Sequence, residues 1–404
     1  MTIRMDEGAA ELLDTLHRAG YAAYVVGGCV RDSLLGLTPH DWDLCTSALP
    51  QQVMELFGAQ RCIPTGLQHG TVTVKQSGAL YEITTFRTEG TYTDGRHPDE
   101  VHFVPDVRED LARRDFTINA MAYNAKEGLV DPFGGQADLQ SGILRAVGVP
   151  HQRFTEDALR ILRLYRFAAR FGFSIDPPTA QAAQELCAHL DCVSVERIEE
   201  ELAKLLSAPA PAAYLDEKIL SVVLPELSPE ALAAVKPVVD ACPAGEQALP
   251  VRLAALLLSL GEDGTRRTLR RLRCSNACIE ETAVLVREAV SGVPVSLNIY
   301  ARRLLGKYNL CTVQRIAALG TALQPERAAD FAALSELAEQ LDADGVCCRV
   351  SQLAVNGRDL MAAGVPAGPG IRKVLEALLD GVIREEYPNE RQALLAAVQQ
   401  LAAS

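Results

Sequence analysis

Residues Val25–Thr46 read VVGGCVRDSLLGLTPHDWDLCT, and the parsing of this stretch decides the fold. It reads as a strand, a tight Gly27-Gly28 turn, a short helix, and a second strand carrying Asp41 and Asp43. Side chains alternate faces along a strand, so the two carboxylates point to one side and Trp42 and Leu44 to the other, toward a core. Two carboxylates one residue apart on an exposed strand face make a hard-cation site that suits Mg²⁺ and suits Zn²⁺ poorly. Glycine at 27 and 28 lets the backbone come close to a ligand. The helix that follows offers free N–H groups and a positive dipole end, where a phosphate would sit, and Arg31 in its first turn adds a charged donor.

Alone, a Gly-Gly turn is only a turn, and Asp-x-Asp is common on solvated loops. Their order within one unit is more specific: it is the layout of nucleotidyltransferases of the polymerase-β type. A third carboxylate would complete such a site. Leu80–Phe86 alternates as a strand that sets Glu82 opposite Tyr81 and Ile83, and Glu82 is the candidate, against the alternative of a solvated strand-face glutamate.

The whole chain has 404 residues, enough for two to four domains, with 48% hydrophobic, 23% charged and 5% aromatic residues. A net charge of −13 argues against a general nucleic-acid coating protein, though not against a local basic surface. The N-terminus shows no signal peptide, and apolar runs such as Leu253–Leu258 are too short for a bilayer. Eleven scattered cysteines with no C-x-x-C pair read as reduced, mostly buried thiols in a cytoplasmic chain.

Asp6–Arg18 is expected as an amphipathic helix ended by Gly20, and Pro50–Phe57 as a second. Gln60–Ile63, Gly70–Gln76 and Leu80–Phe86 are expected strands. Arg87–Asp99 reads as a mobile loop, Glu109–Asn124 as a helix and Leu144–Ala146 as a last strand. Beyond residue 148 strand signals nearly vanish. Thr155–Phe171 reads as one helix with Thr155 as N-cap and Gly172 as its stop, and Val195–Leu206 as another. The expected fold is α+β: a small N-terminal sheet domain (1–148), then an all-helical neck (149–207), body (208–324) and tail (325–404).

A second constellation lies in EDALRILRLYRFAARFGF, where Asp157, Arg160, Arg163 and Arg166 recur every three residues, with Arg170 beyond. The simpler reading is an exposed face with an i,i+3 ion pair. With a nucleotide in view, base edges give another. Cytosine and adenine each show an amino donor beside an acceptor nitrogen; uracil and guanine show the reverse. A carboxylate only accepts and a guanidinium only donates, so Asp157 with Arg160 can pair with C or A and mismatches U or G.

GGCVRDSLLG with DWD, then RRDFTINAMA, EDALRILRLYRFAARFGF and VERIEEEL together resemble the class II tRNA nucleotidyltransferase and bacterial poly(A) polymerase family. LAVNGRDLM, GPG and PNERQALL are similar to the tail region of its bacterial CCA-adding members. The resemblance implies that Asp41 and Asp43 are metal carboxylates and that Gly28 and Arg31 contact the triphosphate. It makes Arg114 a nucleotide-contacting arginine and sets Asp115 and Asn119 near the ribose. Asp157 and Arg160 match the family's amino-acid template for the incoming base, and Arg163 and Arg166 its further nucleotide-binding arginines. It further implies addition of C, C and A to the tRNA 3′ end from CTP and ATP, with two Mg²⁺ ions assisting in-line attack on the α-phosphorus.

One departure stands out. The family's flexible loop carries Asp-x-x-Arg, whereas here Asp94-Gly95-Arg96-His97 moves the arginine one place earlier. A CC-adding, A-adding or poly(A)-adding relative is therefore an alternative, as is a noncatalytic tRNA-binding protein, which intact Asp41 and Asp43 argue against. An added His-Asp phosphohydrolase module is excluded, since no histidine follows His189. Residues 251–310 hold ten Lys/Arg against five Asp/Glu, with Arg266, Arg267, Arg270, Arg271 and Arg273 on one expected helix. They are either a solvated face or a tRNA-backbone contact. Oligomeric state is left open, a homodimer included.

Overall fold

The computed structural model describes residues 3–90, 100–289 and 296–401, in two compact units, Met1–Pro225 and Glu226–Ser404. The first opens with helix α1 (Glu7–Arg18), whose N-cap Asp6 accepts the Ala9 N–H and whose Leu12, Leu13 and Leu16 are buried. Strand β1 (Ala23–Val26), helix α2 (Gly28–Leu34), strand β2 (Leu44–Thr46) and helix α3 (Pro50–Phe57) follow. Next come β3 (Cys62–Gly66), β4 (Thr71–Gln76), β5 (Ala79–Thr85) and a separate hairpin of β6 (Arg87–Glu89) with β7 (Val101–Phe103). Helix α4 (Val107–Ala112), β8 (Ala122–Asn124), β9 (Gly128–Val130), α5 (Gly135–Ser141) and β10 (Ile143–Leu144) complete the sheet region.

Seven strands form one sheet in the order β3-β4-β5-β2-β1-β8-β9. Only β2 and β5 run parallel, with Leu44 opposite Ile83; the other neighbours are antiparallel. The centre is apolar on both faces, as burial there requires: Val25, Val26, Leu44, Cys45, Ile83 and Ala122 are all buried. The sheet therefore brings Asp41 and Asp43, just ahead of β2, beside the start of β5.

Three expectations are corrected. Residues 109–124 are not one helix: α4 stops at Ala112, and Ala122–Asn124 is a strand paired with β1. The helix-forming run EDLARR sets a helical register that tertiary pairing overrides. Ala120, Met121 and Ala122 are fully buried, and the Thr117 N–H goes to the Arg145 carbonyl rather than to a helical turn. Arg87–Glu89 is a strand rather than the start of a loop; residues 91–99, with Asp94, Arg96 and His97, lie outside the described residues.

The third correction matters most for function. Thr155–Phe171 is two helices, α6 (Pro150–Glu156) and α7 (Leu159–Phe171), broken at Asp157, which is extended at φ −145° and ψ 103°. Thr155 is no N-cap, since it lies inside α6 and its hydroxyl donates to the His151 carbonyl. The Asp157 carboxylate accepts the Leu159 N–H at 3.0 Å, a local bond that competes with helix continuation. Gly172, in the left-handed region, ends α7 as expected. Strand β11 (Ser174–Ile175) pairs with β10, and α8 (Pro177–Leu186), α9 (Val195–Leu206) and α10 (Glu217–Val223) close the unit.

The second unit is helical throughout its described residues, from α11 (Pro229–Ala241) and α12 (Leu249–Leu257) to α13 (Gly261–Arg271) and α14 (Asn276–Ala289). It continues through α15 (Leu297–Lys307), α16 (Leu310–Leu323), α17 (Ala328–Ala343), α18 (Gly357–Ala362), α19 (Pro369–Ile383) and α20 (Arg391–Leu401). Its last helices share a core of Cys347, Val355, Leu360, Leu378, Val382 and Leu394. Among the described residues no helix is long and apolar enough to cross a membrane. All eleven cysteines are free thiols; six are buried, while Cys192 and Cys311 are exposed.

Candidate active site

The turn between β1 and α2 sets one wall of the site. Gly27 has φ +76°, and a Cβ there would fall 2.8 Å from Arg114 Nη1. Glycine is needed both for the backbone and for the guanidinium that leans over it. Asp41 and Asp43 approach β2 without belonging to it, a small correction; the Val26 N–H donates to the Asp43 carbonyl and extends the pairing by one residue. Both carboxylates are exposed, as is Glu82 between buried Tyr81 and Ile83. The Asp43 carboxyl is pushed up, first by partial desolvation among neighbouring atoms, then by Glu82, with Arg114 opposing and Asp41 adding to the rise.

Beyond desolvation, Glu82 and Asp41 add negative charge at this carboxylate, which a divalent cation would offset. Among the described residues no three His, Cys, Asp or Glu side chains are already gathered to hold a metal. Two hard carboxylates still suit Mg²⁺, which is commonly held by one or two protein carboxylates with water and substrate phosphates supplying the rest.

From this edge a cleft of about 630 Å³ opens. Gly28, Arg31, Asp41, Asp43, Arg114, Asp115 and Asn119 line it from the sheet side. Asp157, Arg160, Arg163 and Arg166 line it from α7 and the break before it. Glu82 does not. The cleft also has Arg113, Phe167, Arg170 and Arg197 in its walls, so eight arginines face four aspartates. A surplus of that size in a concave site favours a polyanion.

A continuous network holds the guanidiniums in place. Asp115, only 8% exposed, accepts Arg163 Nε at 3.0 Å and Nη2 at 2.7 Å, the Phe116 N–H at 2.8 Å and Asn119 Nδ2 at 3.0 Å. Asn119 Oδ1 in turn accepts Arg31 Nη1 at 2.5 Å, and Arg31 donates to Asp32, which also meets Arg170 at 3.4 Å. Burial works to raise the Asp115 carboxyl, but Arg163, the Asn119 amide and Arg160 hold it well below the usual carboxylate range. Arg166 pairs with Glu201 at 2.5 Å and lies 3.9 Å from the centre of the Phe167 ring, with Arg31 at 5.3 Å and Arg163 at 5.4 Å. Burial lowers the Arg31 and Arg166 guanidiniums despite these partners.

Arg114 is less committed. Its Nη2 lies 3.5 Å from Asp110, and its buried Nε has no hydrogen-bond partner. A buried donor without an acceptor costs free energy unless a ligand supplies one.

The simpler reading, an Asp157–Arg160 ion pair on an exposed face, is not what the described residues show. Arg160 donates to Glu156 at 2.7 Å and to the Arg153 and Arg113 carbonyls. Asp157 is instead gripped by both Arg197 nitrogens, at 2.8 and 3.3 Å. Both residues still line the cleft, as does Arg197, which clamps Asp157 from α9. Arg197 carried no role in the sequence reading. Its signal there was faint: it stands one turn before Glu201, giving α9 charges on the face that buries Glu201 to 5% exposure. The body arginines fall on α13 and just beyond it. Arg266 pairs with Glu262 and Glu280, and Arg271 with Glu226, while Arg267, Arg270 and Arg273 are exposed.

Known proteins share this sequence and architecture. Residues 23–145 match the Poly A polymerase head domain family. Residues 172–230 match the probable RNA and SrmB-binding site of polymerase A, and 251–398 the putative tRNA nucleotidyltransferase domain 2. The CCA-adding enzyme of Lactiplantibacillus plantarum is 37% identical over 397 residues, 96% of this chain and 95% of that protein. That of Levilactobacillus brevis is 38% identical over 398 residues, 97% of each. The Bacillus stearothermophilus CCA-adding enzyme, solved in complex with CTP, superposes with a TM-score of 0.84 at 32% identity, covering 99% of this chain and 98% of that one. With relatives this similar along nearly its whole length, a head-domain match and the expected α+β architecture, the chain belongs to the family of bacterial CCA-adding enzymes, the tRNA nucleotidyltransferases.

Proposed function

We propose that this chain adds C, C and A to the tRNA 3′ end, without a nucleic-acid template, using CTP and ATP. The observation that carries this reading is the single cleft that joins Asp41 and Asp43 to Asp157, Arg160 and the arginine network. The primer 3′-oxygen attacks the α-phosphorus in line, forming a phosphodiester and releasing pyrophosphate. Arg31, Arg114, Arg163 and Arg166 offset the triphosphate charge, with Gly28 allowing its approach and Arg114 keeping one buried donor, Nε, without a partner in the chain. Asp115 holds Arg163, Asn119 holds Arg31, and both face the ribose. Asp41 and Asp43 would hold Mg²⁺, with Glu82 acting on Asp43 only through its charge, and two such ions would supply Lewis-acid stabilisation of the transferring phosphate.

Base choice rests on Asp157 accepting the amino group of C or A. Arg197 occupies part of that carboxylate, but two oxygens offer about four acceptor directions, so a base amino group can be added. Arg160 donates to the ring nitrogen by exchanging one of its carbonyl contacts. The exposed Arg267, Arg270 and Arg273, with Arg266 and Arg271 beside them, fit tRNA phosphates. The head, neck, body and tail division and a cytoplasmic setting remain part of this proposal.

The test uses three tRNA transcripts, ending before CCA, after C and after CC, each with Mg²⁺ and single nucleotides or ATP plus CTP, resolved at single-nucleotide length. Addition of CC and then A, stopping there, is expected. A stop at CC would point to the altered 94–97 loop, extension of only the CC-ended tRNA to an A-adding specialist, and long A tails to poly(A) synthesis. No extension with any nucleotide would leave a noncatalytic tRNA binder. Asp41→Ala and Asp43→Ala should abolish incorporation and leave tRNA binding near wild type; equal loss of binding would argue against a metal role.

A further inference from the structure

We infer that Arg170 takes the outermost phosphate of the incoming nucleoside triphosphate, and so lets the cleft tell a triphosphate from a diphosphate. This rests on the nucleotidyl-transfer reading and names a residue and a selectivity that reading leaves unassigned. Arg160 and Arg170 stand on one helix, α7 (Leu159–Phe171), and both line the arginine cleft. At a helical rise of about 1.5 Å per residue they lie roughly 15 Å apart along the axis, comparable with an extended nucleoside triphosphate. With the base edge at Asp157 and Arg160, the phosphate tail of the same molecule runs past Arg163 and Arg166 toward Arg170.

The charges around Arg170 fit that end of the molecule. Of the eight arginine side chains in the cleft walls it is the most open, at 42% exposure against 34% for Arg163 and 5% for Arg31. Its contact with Asp32 is long, 3.4 Å, and that carboxylate already accepts Arg31 at 2.7 and 2.8 Å. One carboxylate shared by two guanidiniums leaves a positive charge over. Arg31 and Arg170 also stand over the same Phe171 ring, 4.9 and 5.0 Å from its centre, which holds the two charges near each other without neutralising them. Arg170 in turn acts as a like charge on both Arg31 and Arg166. A terminal phosphate, esterified once, carries more negative charge than the phosphates inside the chain, and it relieves this repulsion best. A guanidinium meets it with paired N–H donors.

Calorimetric titration of the full-length chain with Mg²⁺ and no tRNA reads nucleotide binding without turnover. Wild type and Arg170→Gln are each titrated with CTP, CDP and CMP. Arg170→Gln is expected to weaken CTP about tenfold, the size of one charge-assisted hydrogen bond, and to change CDP and CMP by no more than about twofold. ATP, ADP and AMP should give the same pattern, since a phosphate contact does not depend on the base. Arg170→Lys keeps the charge and should weaken CTP by less than about threefold. Unchanged CTP affinity in Arg170→Gln would overturn the assignment. So would an equal loss for CTP and CDP, which would mark Arg170 as acting only through Arg31 and Asp32. The site is exposed, and thermal melting checks that both variants are folded. If wild type binds CTP yet extends no tRNA, the transfer reading fails, and the titration still decides the role of Arg170.

Discussion

Replacing Asp115 by Asn tests the arginine network at its centre. Asp115 is nearly buried and takes two donors from Arg163, one from Asn119 and one from the Phe116 backbone. Removing one partner of a buried ion pair costs about 3–5 kcal/mol. Arg163 keeps 34% of its side chain exposed, so water can solvate the orphaned guanidinium, and an asparagine oxygen still accepts one bond. About 2 kcal/mol is the resulting expectation, or a loss of roughly 4–8 °C in Tm for a unit of this size. KM for both CTP and ATP should rise together, because Arg163 and, through Asn119, Arg31 lose their alignment. The pH dependence gives the sharper check. The Asp115 carboxyl is held below its ordinary value, so its contribution is full above about pH 4 and is lost as pH falls through the folded value. The Tm gap between wild type and Asp115→Asn, followed by calorimetry, should be constant from about pH 8 to 5 and close below about pH 4. A gap that is absent at pH 7, or that widens in acid, would falsify the network's role.

Asp157→Ala should blur the choice of ATP and CTP over GTP and UTP, or lower both activities, in single-nucleotide extension assays; unchanged selectivity would sink the base-reading argument. Arg197→Ala frees Asp157 from its clamp and should weaken the same selectivity by a smaller factor, with tRNA affinity unchanged in filter binding. Gly27→Ala places a Cβ 2.8 Å from Arg114 Nη1 and forces a positive φ on alanine, at a cost of about 1–2 kcal/mol. Arg114 is flexible enough to move, so the expected result is a higher nucleotide KM with only a modest fall in Tm. Arg267→Glu with Arg270→Glu should weaken tRNA binding and flatten its salt dependence by about two ions, leaving nucleotide KM unchanged.

The cleft joins two demands that pull against each other. Eight arginines in one concavity repel one another, and Arg163 and Arg170 both act to lower Arg166. Their grouping persists because four of the eight have a local counterweight: Asp115 for Arg163, Glu201 for Arg166, Asp32 for Arg31 and Arg170, with the Phe167 ring among three of these. A bound triphosphate would strengthen this arrangement. Nucleotide should therefore raise the melting temperature of the first unit more than that of the second.

Several features were determined by short-range rules that a sequence carries by itself. Gly27 had to be glycine for its turn, alternation set Glu82 opposite Tyr81 and Ile83, and Gly172 ended α7 where the left-handed position fell. The same rules brought Asp41, Asp43 and the 157–166 row forward as candidates. They could not say that 122–124 is a strand inside the sheet, between β1 and β9, because its partner, β1, lies almost a hundred residues earlier and only burial on both faces decides between helix and strand. Nor could they choose ion-pair partners. Asp157 has Arg160 one helical turn away, yet it binds Arg197, 40 residues on, and Asp115 binds Arg163, 48 residues on. Helical periodicity proposes neighbours on one element. Which charge meets which is decided when separate elements pack, since a buried charge is stable only beside the partner that the packing brings to it.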